Sequence, residues 1–128
     1  MPSLEYFLVA RAFSVDQWTN LVSVFEIVEE VHPPAFPVDL PLRAICCWNS
    51  TGEEVGKDFQ ASIVLRRDEA VSGPHHVNFT WKARRHRLFV DLNVNVQGPG
   101  DVVVELNLNG AHSASHTITV HQVATVQG

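Results

Sequence analysis

The apolar residues of this chain recur with a period of two. In residues 87–96, Leu88, Val90, Leu92, Val94 and Val96 share one parity, and Asp91, Asn93 and Asn95 share the other. A β-strand sends successive side chains to opposite faces, whereas a helix needs apolar residues three and four apart. The pattern therefore predicts a strand with one face buried and one in water. Residues 102–109 repeat it, with Val102, Val104, Leu106 and Leu108 set against Glu105 and Asn107. Residues 58–67 do so again, with Phe59, Ala61, Ile63 and Leu65 inward and Gln60, Ser62 and Arg66 outward. No window of about 12 residues carries a helical stripe.

The remaining segments read as strands and their connections. Residues 4–13 and 42–49 are strands, and 21–28 (LVSVFEIV) is apolar on both parities, which predicts a central strand covered on both sides. Residues 14–20 form a polar hairpin or corner. Residues 32–41 hold prolines at 33, 34, 37 and 41. Proline fixes φ and lacks the donor a ladder needs, so this stretch is expected to be a crossover, pinned by Phe36 and Leu40. Residues 50–57 are an acidic turn, 68–76 a loop, and 77–82 a short lead into the strand at 87. Gln97-Gly98-Pro99-Gly100-Asp101 predicts a tight turn, after which 102–109 returns as the hairpin partner of 87–96. Asn109-Gly110 predicts a type I′ hairpin closed by residues 111–121, because both central positions must take positive φ. The expected fold is all-β, a two-layer antiparallel β-sandwich of about seven or eight strands with an immunoglobulin-like or jelly-roll-like topology. Residues 1–121 form its single domain and 122–128 a C-terminal tail.

Composition narrows the function classes. The 128 residues are 45% hydrophobic and 18% charged, enough for a single core that needs no metal or disulfide staple. No apolar stretch approaches the length of about 18 residues that suggests a membrane helix. A net charge of −5 argues against nucleic acid, whose phosphates require a basic face. The charge is uneven, however: residues 1–64 hold nine acidic and three basic side chains, residues 65–128 five and six. The opening, MPSLEY, has neither the basic nor the apolar region of a secretory signal, so a cytoplasmic chain is expected. The only cysteines, Cys46 and Cys47, are adjacent and would point to opposite faces of a strand, as two reduced thiols.

Catalytic chemistry finds little support. His112 and His116 share parity but lie about 13 Å apart along a strand, too far to bind one metal ion. Cys46 and Cys47 sit beside Ile45 and Trp48, where cysteine behaves as a small hydrophobe rather than a nucleophile. No glycine-rich phosphate loop precedes a helix. The expectation is a protein that is not an enzyme and uses no metal and no cofactor. Two surface features remain. The group Trp81, Lys82, Arg84, Arg85 and Arg87 is a candidate anion- or partner-binding site, with Trp81 available for stacking; the plainer reading is a strand start with arginines lying along its surface. Residues 21–31 and 42–48, with Val22, Val24 and Ile45, are candidates for an interface buried only in an assembly. The first reading is therefore contact with a protein partner or with a second copy. The alternative is a small-ligand or carbohydrate-binding module that uses Trp81, Arg84, Arg87 and an outer face bearing Asn93, Asn95, Asn107 and Asn109.

The segments EYFLVARAFSVD, LVSVFEIVEEV, PPAFPVDLP, RRHRLFVDLNV and QGPGDVVVELNLNG occur in this order. Together they resemble a family of small bacterial, mainly actinobacterial, proteins catalogued only as a domain of unknown function, over about residues 5–120. The resemblance implies a cytoplasmic β-sandwich and carries over no activity, cofactor or site residue.

Overall fold

A computed structural model describes residues 2–67 and 70–122. Among these residues nine strands follow one another: β1 (Ser3–Val15), β2 (Val22–Ile27), β3 (Glu30–Val31), β4 (Val38–Asn49), β5 (Asp58–Arg67), β6 (Ala70–Thr80), β7 (Arg85–Val96), β8 (Gly100–Leu108) and β9 (Ala111–Val120). They form two sheets, β2-β1-β4-β7 and β3-β9-β8-β5-β6. All pairings are antiparallel except β3 with β9. The three-stranded block β1-β4-β7 opposite β9-β8-β5-β6 is the immunoglobulin-like arrangement of alternating hairpins and crossovers.

The core lies between the sheets and follows the period-two pattern. Leu88, Leu92, Val94 and Val96 of β7, Val102, Val104 and Leu106 of β8, and Ala61, Ile63 and Leu65 of β5 are all buried in it. Phe36, Val38 and Leu40 pack against its margin, anchoring the proline-rich segment. Asn109 and Gly110 take φ of 49° and 81° at the β8–β9 hairpin, where the two positive values let the turn match the strand twist.

Four expectations are corrected. Residues 38–41 belong to β4 rather than to a crossover: this end of β4 pairs with β7 alone, since its register with β1 stops at Arg43, and a proline is tolerated where one edge of the strand is unpaired. Residues 70–76 belong to β6 rather than to a loop: β6 is an edge strand, and a bulge opposite Ile63 and Leu65 absorbs Gly73-Pro74. The turn after β7 does not return β8 beside it but carries the chain to the other sheet. Finally, β2 is an edge strand, not a central one; its β-branched residues reflect a preference for extended backbone, not coverage on both sides. The expected tail falls at residues 122–128, of which 123–128 lie outside the described residues.

Candidate functional site

Part of the outer face of the β2-β1-β4-β7 sheet is covered, although Arg43, Asp91, Asn93 and Asn95 on it are exposed. Ile45 and Cys47 of β4 point away from the inter-sheet core, yet are 0% and 2% exposed. The cover comes from the distal part of the β1–β2 hairpin. Val9 of β1 lies in the inter-sheet core, whereas Phe13, of the same parity, stacks on Phe89 of β7 with ring centroids 4.1 Å apart. Phe89 pairs with Ile45 and alternates with the core residues Leu88 and Val90, so it faces the outer side. The hairpin therefore changes face between these points. Glu26 of β2, with φ of 56°, marks the bend, and its carboxylate pairs with Arg11 at 3.5 Å. A non-glycine residue in the left-handed region is a local irregularity of the kind that bends a strand.

Beyond the bend the hairpin is an arm folded over the sheet. At its tip the Asp16 carboxylate accepts hydrogen bonds from the backbone N–H groups of Trp18 and Thr19 at 2.8 and 2.9 Å. Those two bonds, Thr19 first, hold the Asp16 carboxyl below its ordinary pKa. Arg87 of β7 donates from Nη1 to the Asn20 carbonyl at 3.0 Å, tying the β1–β2 turn to the strand at the far edge of the sheet. The sheet is thus curled into a trough.

One end of the trough is a cleft of about 690 Å³. Its apolar wall comes from Tyr6 and Leu8 of β1 and from Leu21, Val22 and Val24 of the arm; Cys47 closes the floor. Its polar rim is Arg84, Arg85 and Arg87 with Glu5. Arg85 Nε donates to both Glu5 carboxylate oxygens at 3.1 Å. Arg84 Nε donates to Asn49 Oδ1 at 3.1 Å. Arg84 and Arg87 are therefore oriented by neutral acceptors, and among the described residues neither forms an ion pair.

The basic group singled out in the sequence is dispersed by the fold. Arg84, Arg85 and Arg87 meet at the cleft, while Lys82 lies on a separate groove with Asn78 and Thr80. Trp81 is fully buried, so it is no stacking platform: it packs against Phe59, Phe79 and His86 inside the sandwich. His86 stacks on Phe79 with centroids 3.8 Å apart, and burial pushes its pKa down, so it is neutral at pH 7. Of the expected interface residues, Ile45 is already buried within one chain, under the arm. Val22 and Val24 are half-buried in the cleft wall. The asparagines do not share a face, because Asn93 and Asn95 lie in one sheet and Asn107 in the other. Asn95 donates to Asp39 at 2.8 Å, and Asn109 accepts from the Gln60 N–H at 2.9 Å.

The thiols face opposite sides, as adjacent strand residues must. Cys46 lies in the inter-sheet core, its Sγ 3.9 Å from the Leu88 carbonyl, and burial pushes its pKa up to about 12. At the cleft floor, burial and then the nearby Glu5 carboxylate push Cys47 up as well, against the pull of Arg85 and Arg87. Both stay protonated near neutrality, unlike the thiolate a nucleophile requires.

The arm supplied a feature that the residue pattern did not announce. Four of the large apolar side chains exposed among the described residues sit on it, Val15, Trp18, Leu21 and Phe25, and a fifth, Ile27, lies at its base. Trp18 at the tip is 94% exposed and Leu21 68%. The outer edge of β2 pairs with no other strand among the described residues. Such a signal was present in the sequence only as apolar residues beside a polar turn, which a covered hairpin would show equally.

No family model matches the chain, and no curated protein matches it. Among solved structures it is similar to a β-glucosidase from Listeria innocua, at 10% identity and a TM-score of 0.50. The likeness covers 98% of this chain and 17% of that enzyme chain, and it shows the sandwich fold. Among the described residues, no helix is long and apolar enough to cross a membrane.

Proposed function

We propose that this chain is a non-enzymatic β-sandwich that works by protein–protein contact, with the β1–β2 arm as its contact element. The observation that carries the reading is the exposure of Trp18, Leu21 and Phe25 together on one arm, with Ile27 at its base, beside a strand edge unpaired among the described residues. Large apolar side chains held in water on a protruding element are the usual mark of an interaction surface. Tryptophan, in particular, is enriched among the residues that dominate binding energy. A free edge adds backbone donors and acceptors that an extended segment of a partner can pair with. The protonated state of both thiols fits the reading that no catalysis occurs here.

The carbohydrate alternative loses its aromatic platform with the burial of Trp81 and its amide face with the separation of the asparagines. The test is cross-linking and recovery of tagged protein from its own cell, wild type beside a Trp18→Ser, Phe25→Ser double variant. A partner, or a second copy, recovered with the wild type and lost with a folded variant supports the arm. The same set recovered with both would overturn it.

A further inference from the structure

Independently of the arm's role in contact, we propose that the cleft between the arm and β7 binds a small monocarboxylate with an apolar body, its head held by Arg84 and Arg87. Charge selects the head. Arg84, Arg85 and Arg87 face Glu5 alone at the rim, and Glu5 is engaged by Arg85. Among the described residues, two guanidinium groups are left without an ion-pair partner in a chain whose net charge is −5.

Both are also pre-oriented. Arg84 is held through Nε by Asn49, and Arg87 through Nη1 by the Asn20 carbonyl. Each keeps further N–H donors for a ligand, and the planar fork of a guanidinium matches the two oxygens of a carboxylate. Holding the donors in place beforehand lowers the ordering cost of binding.

The walls select the body. Tyr6, Leu8, Val22 and Val24 present apolar surface below the arginines, in a cleft whose volume of about 690 Å³ suits a small molecule. A singly charged head also costs less to draw from water into such surroundings than a phosphate dianion does. The ligand would touch both the arm and the start of β7.

Octanoate is the probe, followed by two-dimensional amide NMR of the full chain, with octanol and acetate as controls. Octanoate is expected to give saturable shifts at residues 21–24 and 83–87 with a Kd below about 1 mM. Octanol, which lacks the charge, and acetate, which lacks the body, are each expected to bind at least about tenfold more weakly. Arg84→Gln and Arg87→Gln should each weaken octanoate about tenfold. Arg84→Gln is the deciding variant, because among the described residues the Arg84 side chain bonds only Asn49, and its loss leaves the Arg87 bond to the arm in place. The proposal is overturned if octanoate produces no saturable shifts in the cleft, if octanol binds as tightly, or if Arg84→Gln binds octanoate like the wild type.

Discussion

Over residues 44–48 the two faces of β4 are both buried, and by different means. Leu42, Ala44, Cys46 and Trp48 are covered by the opposite sheet, across a core to which most strands contribute. Ile45 and Cys47 are covered by a two-stranded arm that meets β7 through one ring stack and one hydrogen bond. A residue's exposure is the same in either case, but the cooperativity beneath it differs. The inner face is buried by elements that must all be folded for any of them to be, whereas the outer face depends on one hairpin that can open by itself.

The largest test of that contrast is truncation on the inner side. Trp48→Ala should cost about 3–5 kcal/mol in urea unfolding, because the cavity it leaves is walled by two sheets. Ile45→Ala should cost about 2 kcal/mol, at the low end for a buried isoleucine, since the arm can settle into the space. Equal losses at the two positions would show the arm to be as rigid as a sheet. Next, a double-mutant cycle between Phe13 and Phe89 should return a coupling of about 0.5–1.5 kcal/mol, the range for a stacked pair. A coupling near zero would mean that something other than this stack holds the arm down.

The thiols give a comparison in pH. The native Cys46 proton is retained to about pH 12, while an unfolded cysteine loses its proton near 8.5. Above that lower value the native state binds more protons than the unfolded one, so stability falls as pH rises. The urea midpoint of the wild type should therefore drop more steeply above pH 8.5 than that of Cys46→Ala. The smallest effect is expected at the bend. Glu26→Gly removes the cost of a left-handed φ and loses an exposed ion pair with Arg11, for a net gain of a few tenths of a kcal/mol.

The sandwich was legible because its inner faces obey one simple rule. Alternation placed Leu88 to Val96, Val102 to Leu106 and Ala61 to Leu65 on the correct side, and Asn109-Gly110 marked its turn. What escaped was decided between strands rather than within them. The residues of 21–28 are the same whether β2 is central or at an edge, since strand pairing is set by partners distant in the chain. Alternation likewise could not tell that β8 leaves β7 for the other sheet, and this undid the asparagine face. Proximity in sequence suggested that Trp81 to Arg87 form one patch, but Trp81, just after β6, lies in the core and Arg87 lies on an outer face. Three of the five converge at the cleft.

The bend at Glu26 bears on solubility. A free strand edge flanked by Phe25 and Ile27 could zip, copy upon copy, into stacked sheets. An irregular backbone and an exposed carboxylate near the end of that edge interrupt both the flatness and the neutrality such growth requires. The residue that turns the arm inward thus also keeps its outer edge from becoming a template for aggregation.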